Sequence, residues 1–162
     1  MNHAITDMLK QADGRYLTKD EGALLREFAS SLEARLAAME ELSQKEGKII
    51  DRAIKEVMRA YPDYKDKYPE GQQKGTRDMT FVLRYCAHAM VRNDARFLED
   101  TVLAWLTTIL RGVGLRANLI ADAYRAVEKF TLEELTPGSA ELIRPWIQMA
   151  TSALSAPPRG AN

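Results

Sequence analysis

The sequence predicts an all-α protein whose helices stack around a common interior. Apolar residues recur at three- and four-residue steps along most of the 162 residues, and this spacing lines one face of an α-helix. The alternation of polar residues with Val, Ile and Thr that marks a strand is absent. The segment from Thr76 to Val91 is apolar on nearly every side, which is typical of a central helix covered by its neighbours.

The N-terminal third is predicted to form a short helix and then a long one. The first helix runs from about Ala4 to Gln11 and ends at Asp13-Gly14. Thr18 begins the second helix as a capping box, because Glu21 stands three residues on and can bond back to the N-cap backbone. The apolar residues that follow are expected to form one buried stripe: Leu25, Phe28, Leu32, Leu36 and Met39.

A second capping box, Ser43 with Glu46, predicts that another helix begins there and continues to Tyr61. The stretch between Tyr61 and Gly75 is polar and lacks helical spacing. We expect a surface loop, because three residues that break regular structure interrupt the stretch: Pro62, Pro69 and Gly71.

The C-terminal half is predicted to be helical up to Leu154. Asn93-Asp94 ends the central helix and provides the next N-cap, and Thr136-Pro137 begins the last helix. Helices this numerous and uneven favour a globin-like stack around a pocket over a four-helix bundle. Residues 1–154 are expected to form a single domain, and residues 155–162 a disordered tail.

Composition restricts the class of protein. Lys plus Arg and Asp plus Glu balance at 23 each, so the concentrated basic surface of a nucleic-acid binder is not indicated. No run of about 18 apolar residues could span a membrane, and Met1 to Lys10 lacks the apolar core of a secretory signal. The single cysteine, Cys86, cannot form an internal disulfide. We therefore expect a cytoplasmic protein with neither a membrane nor a nucleic acid as partner.

Metal and nucleophile sites have little support. His3 and His88 lie far apart, and Cys86 and His88 are two residues apart on a helix, hence on different faces. No zinc-type spacing is present. Cys86 is most simply a small buried hydrophobe, and no carboxylate pair stands out as catalytic. We expect no metal site and no catalytic residue.

Arg77-Asp78, at the start of the apolar helix, is the one pair with chemical character. Guanidinium binds carboxylates bidentately and an aspartate accepts several N–H bonds, so the pair suits a ligand with an apolar body, acidic arms and N–H donors. The alternative is that Asp78 is a first-turn charge favoured by the helix dipole and that Arg77 is solvent-exposed. The residue types alone favour this alternative.

Three separated motifs resemble one family. Thr76 to Tyr85 (TRDMTFVLRY) is similar to the pigment-attachment segment of phycobiliproteins, in which Arg-Asp precedes Leu-Arg-Tyr. Asn93 to Asp100 resembles their Gly-Asp-Ala-x-x-Leu-(Asp/Glu)-Asp segment, and Gln11 to Thr18 their Ala-Asp-x-x-Arg-Tyr-Leu-Ser opening. The resemblance extends from about Ala4 to Leu154, and it is closest to the phycobiliprotein-related globins associated with bilin biosynthesis.

The resemblance implies a globin-like fold with an N-terminal helical hairpin, and a bilin (a linear tetrapyrrole) as cofactor. By the family pattern Asp78 would accept the pyrrole N–H groups and Arg77 would bind a propionate. Apolar wall would come from Met79, Val82 and Leu83. Residues 1–17 would serve as a dimerisation extension, in which Asp13 pairs with Arg84 of a second subunit. The partner would be a second copy or a paralogue.

Gly75 stands where the family has the cysteine that carries the pigment. Cys86 lies eleven residues further on, about 16 Å along a helix, so it does not replace that cysteine. We therefore expect non-covalent binding of biliverdin or a reduced bilin such as phycocyanobilin, for carriage, storage or sensing and not for light harvesting. Positions that are aromatic in the family are Thr101, Leu119 and Ile120 here. The alternative is a pigment-free dimeric interaction module that keeps the fold.

Overall fold

A computed structural model describes residues 2–112 and 114–156, and all its regular elements are helical. A π-helical turn, Glu99–Leu103, joins α6 to α7. No strand occurs in these ranges, so the predicted all-α, globin-like fold is confirmed. None of the helices in these ranges is long and apolar enough to cross a membrane. The helices are α1 (His3–Gln11), α2 (Lys19–Ser30), α3 (Leu32–Ala60), α4 (Tyr64–Lys67), α5 (Gly71–Arg92), α6 (Ala95–Leu98), α7 (Ala104–Gly112), α8 (Ala117–Glu134) and α9 (Pro137–Ser155).

Local capping signals set several helix ends as predicted. The Thr18 hydroxyl accepts the Glu21 N–H at 3.3 Å, and the Glu21 carboxylate accepts the Thr18 N–H at 2.7 Å. Hydrogen bonds from Arg15 and from the Thr18 backbone lower the pKa of Glu21 to about 2. Asn93 ends α5 in the left-handed conformation (φ 51°), and Asp94 caps α6 by accepting the Phe97 N–H. The capping box at the start of α2 is confirmed.

The second predicted capping box is wrong, because α3 continues unbroken from Leu32 to Ala60. Ser43 is an exposed residue in the middle of the helix, and Glu46 bonds Arg84 on α5 instead. One buried face runs through this point from Leu42 to Ile49, so packing against the core overrides the local signal. The loop prediction is also partly wrong, since α4 forms within it and α5 already begins at Gly71.

The predicted buried stripe after Thr18 is wrong as well. The helix breaks at Ser31, and no residue of α2 is buried. Leu36, in the first turns of α3, is 44% exposed. Arg35 ties this corner to the end of α5, since its guanidinium donates to the carbonyl oxygens of Phe28 and Val91 at 2.6 and 2.5 Å. Within one chain the apolar face of α2 is therefore only partly covered, with Leu25 and Phe28 at intermediate exposure.

The core lies where α3, α5, α8 and α9 pack together, and its fully buried side chains include Ile49, Leu83, Val127 and Ile147. The central helix of the prediction, α5, has one open face, on which Phe81 is 47% exposed. Ile5 and Met8 of α1 are buried. The limits of the domain remain a prediction. Ser155 ends α9, and residues 157–162 of the predicted tail lie outside the described residues.

Candidate ligand cavity

A cavity of about 670 Å³ opens beside the first turns of α5, between the last turns of α3, α4, the end of α7 and the start of α8. This volume is in the range of pockets that bind small molecules and cofactors. Its interior is apolar, with Ile54, Val57, Leu110, Leu119, Ile120 and Ala123 among the lining residues. Leu119 and Ile120, which stand at positions where the resembling family has aromatic residues, therefore lie in the cavity wall.

The structure brings Arg77, Asp78 and Met79 together at this cavity. The Arg77 guanidinium donates to Oδ1 of Asp78 through Nε at 3.0 Å and Nη2 at 2.9 Å. The first-turn alternative for Asp78 does not hold, because α5 begins seven residues earlier, at Gly71. The Arg77 side chain is 63% exposed, as that alternative expects, whereas the Asp78 side chain is only 23% exposed. The pair therefore lies at the rim, half in water.

The predicted wall residues Val82 and Leu83 do not line the cavity. Both side chains are fully buried in the core. The cavity lies beside the first turns of α5, and each residue advances 1.5 Å along the helix, so these two positions fall beyond its end. Met79 alone among the three predicted wall residues contributes to the cavity.

Two tyrosines of the cavity were not singled out from the sequence. Burial raises the pKa of Tyr124, and the nearby charge of Asp78 raises it further. Burial, followed by the charges of Tyr68 and Asp78, likewise raises the pKa of Tyr64. Both hydroxyls therefore stay protonated near the Asp78 carboxylate. A buried tyrosine usually needs a partner for its hydroxyl, so the tyrosine within the apolar stripe of α8 is the signal by which Tyr124 could have been found.

The cations at the rim already have carboxylate partners. Lys74 bonds Glu70 at 2.7 Å, and Lys67 bonds Asp63 at 2.8 Å. Together with Arg77, three cations line the cavity, against the two lining carboxylates Glu70 and Asp78. The pairs are solvent-exposed and hence individually weak. Acidic groups of a ligand could therefore exchange with these partners at little cost.

Gly75 lies in the cavity wall, between the rim and α3. A methyl group added there would have a single neighbour within 4 Å, Cδ1 of Ile54 at 3.8 Å. The position thus has room for a side chain. Cys86 does not line the cavity, its thiol is fully buried, and burial raises its pKa. The described residues therefore offer no thiol to a ligand in this cavity.

Asp13 and Arg84, the predicted intersubunit pair, are both exposed. Within one chain Arg84 bonds Glu46 instead, with Nε and Nη2 each 2.7 Å from a carboxylate oxygen. The pairing of Asp13 with a second subunit stays a prediction. Among the residues that the structure describes, no group of three His, Cys, Asp or Glu side chains is placed to hold a metal ion.

Known proteins similar to this chain match most of its length. Residues 8–154 match the profile of the family described as "Phycobilisome protein". The allophycocyanin alpha-B chain of Cyanophora paradoxa is 25% identical over 161 residues, covering 94% of this chain and 98% of its own. The allophycocyanin beta chain of a Synechococcus strain is 25% identical over 164 residues, covering 96% and 100%. Because this family match covers most of the chain, the chain belongs to the phycobilisome protein family.

Proposed function

We propose that this protein binds a bilin reversibly in the cavity beside α5, for carriage, storage or sensing and not for light harvesting. The observation that carries the proposal is an apolar cavity of about 670 Å³ with Arg77 and Asp78 at its rim and no thiol at Gly75. A bilin combines an extended apolar body, pyrrole N–H groups and two propionates. Each of these parts has a counterpart among the residues of the cavity.

The proposed contacts follow the chemistry of the side chains. Asp78 accepts the pyrrole N–H groups, since a carboxylate offers several acceptor positions at once. Arg77 holds one propionate through its forked donors. Met79 and the apolar wall cover the rings. Binding requires Arg77 and Asp78 to exchange their mutual bonds for bonds to the ligand, and their exposed position makes that exchange inexpensive.

Non-covalent attachment follows from glycine at position 75, because neither it nor buried Cys86 supplies a sulfur atom to the cavity. Biliverdin or a reduced bilin such as phycocyanobilin is the proposed ligand. We assign no catalytic role, since the rim pair consists of binding groups without an adjacent nucleophile. The cytoplasm is the proposed compartment, and the free thiol of Cys86 is compatible with its reducing conditions.

The protein is further proposed to dimerise, with a second copy or a paralogue, through its N-terminal helices. No residue of α2 is buried within one chain, so its apolar face is available to a partner. Asp13 would replace Glu46 as the partner of Arg84, or join it. In sedimentation, Asp13→Arg is expected to shift the dimer towards monomer, and an unchanged dimer would exclude this interface.

The second candidate is a pigment-free interaction module, and the mutual bonding of Arg77 and Asp78 favours it. A thermal-shift titration with biliverdin separates the two. A ligand at 100 times its Kd stabilises the folded state by about 2.7 kcal/mol, which raises the Tm of a chain of this size by about 5–10 °C. Arg77→Ala should reduce that rise. Arg144→Gln should not, because Arg144 is a partly exposed arginine paired with Glu141 on α9, away from the cavity. An unshifted wild-type Tm would favour the pigment-free module.

A further inference from the structure

One wall of the cavity is a short segment that connects α3 to α5. This segment, residues 61–70, contains α4 and supplies Tyr64, Lys67, Tyr68, Pro69 and Glu70 to the cavity lining. We call it the wall segment. It lies between the cavity and solvent, so its position sets the width of the cavity mouth.

At the α5 end, buried packing holds the wall segment. Tyr64 is only 7% exposed, and its ring lies directly over Gly71. A methyl group at Gly71 would stand 2.7 Å from Cζ of Tyr64, so the two are in close contact. Tyr64 and Tyr68 also pack together, with ring centroids 5.2 Å apart. This end cannot move without breaking apolar contacts.

On the opposite side, polar contacts cross to α8 and the residues just before it. The Tyr61 hydroxyl donates to Oδ2 of Asp122 at 2.6 Å. Nη2 of Arg116 donates to Oδ2 of Asp63, also at 2.6 Å. Both carboxylates and the guanidinium are exposed to water. Separating the wall segment from α8 therefore costs exposed polar contacts, which are individually weak.

We infer that the two contacts Tyr61–Asp122 and Asp63–Arg116 form a latch that controls entry and release of the ligand. The inference rests on the proposed function, since it takes the cavity to be the binding site. With the latch open, the wall segment swings away from α8 about its buried contact at Gly71. The four residues act as positioning residues: they hold a wall of the cavity, and Lys67 and Tyr68 on that wall face the ligand.

The test compares the wild type with a double variant, Tyr61→Phe/Arg116→Gln, which removes both contacts and leaves the cavity lining intact. The matched control is Arg125→Gln, because Arg125 is also an exposed arginine bonded to Asp122, but within α8. Two rates are measured. Hydrogen exchange of the Tyr61, Tyr64 and Lys67 amides, which bond at the end of the wall segment that carries Tyr61 and Asp63, reports its opening without any ligand. Stopped-flow absorbance reports the release of bound biliverdin into an excess of a competing acceptor.

Both rates should rise about three- to tenfold in the double variant and stay at the wild-type value in Arg125→Gln, as expected for two exposed contacts. Amide exchange that is unchanged in the double variant overturns the latch, whether or not biliverdin binds. Biliverdin release at the wild-type rate also overturns it. If the wild type binds no biliverdin, the proposed function is refuted. If amide exchange is nevertheless faster in the double variant, the two contacts still hold the wall segment of the empty cavity, but they do not control the release of a bilin.

Discussion

Replacing Gly71 by alanine should destabilise the protein, because the added methyl group has no room. It would lie 2.7 Å from Cζ and 2.8 Å from the hydroxyl oxygen of Tyr64, well inside ordinary contact distance. Tyr64 is nearly buried and cannot turn away without disturbing the wall segment. Overpacking of this kind costs about 1–3 kcal/mol, and alanine in the first turn of α5 recovers less than about 1 kcal/mol of it through helix propensity.

The expected net loss is therefore about 1–2 kcal/mol in the free energy of unfolding, which lowers the Tm by about 2–8 °C. Urea denaturation followed by circular dichroism measures the loss. Gly75→Ala is the matched control on the same helix, because its methyl group would meet only Ile54, at 3.8 Å. That variant should be as stable as the wild type or more stable by about 0.5–1 kcal/mol. If Gly71→Ala proved as stable as Gly75→Ala, the tight contact between α4 and α5 would be refuted.

Gly75→Cys should convert reversible binding of phycocyanobilin into covalent attachment. The thiol adds across the ethylidene C=C of the bilin, with sulfur bonding one carbon and hydrogen the other. The colour should then remain with the protein after denaturation. Asp94→Asn should be less stable at pH 7 by about 1 kcal/mol, measured by urea denaturation. Burial opposes ionisation of Asp94, but bonds from His3 and from the Phe97 N–H outweigh it and lower the pKa. The difference should therefore persist above about pH 4 and vanish as the pH falls through the lowered pKa. Arg35→Ala should destabilise by about 2–4 kcal/mol in the same assay, since the buried carbonyl oxygen of Met90 and the part-buried ones of Phe28 and Val91 lose their donor.

The structure agrees best with the sequence-based predictions at helix ends that are set by residues close together in the chain. The capping box of Thr18 with Glu21 and the stop at Asn93 depend on residues close in the chain, and both occur as predicted. The same signal at Ser43 failed, because the packing of α3 against the core keeps that helix continuous. Only contacts distant in sequence could have shown the difference.

The candidate site could be predicted in part. The motif around Arg77 lies at the end of α5 where the cavity opens, and Arg77, Asp78 and Met79 all line that cavity. The wall segment could not be found in this way, since its tyrosines lie in a stretch that reads as a polar loop. Val82 lies outside the cavity for a geometric reason, because a motif gives the order of residues but not where a cavity ends along a helix.

The pattern of apolar residues also misled in one place. Leu25 and Phe28 have helical spacing, which predicts burial, but spacing does not say whether the covering surface belongs to the same chain. On α2 no side chain is buried within one chain. A partly exposed apolar face and a buried one have the same spacing in a sequence, and only the tertiary arrangement distinguishes them.

Reversible binding of a bilin at Arg77 and Asp78 is tested most directly by the visible absorption spectrum during titration with biliverdin. We predict a sharpened and shifted band for the wild type and a much weaker change for Asp78→Asn. Asp51→Asn, which changes an exposed aspartate paired with Lys55 on α3, should respond like the wild type. Denaturation should release all the colour from the wild type. A wild-type spectrum identical to that of free biliverdin, or an Asp78→Asn spectrum identical to the wild type, would refute bilin binding at this pair.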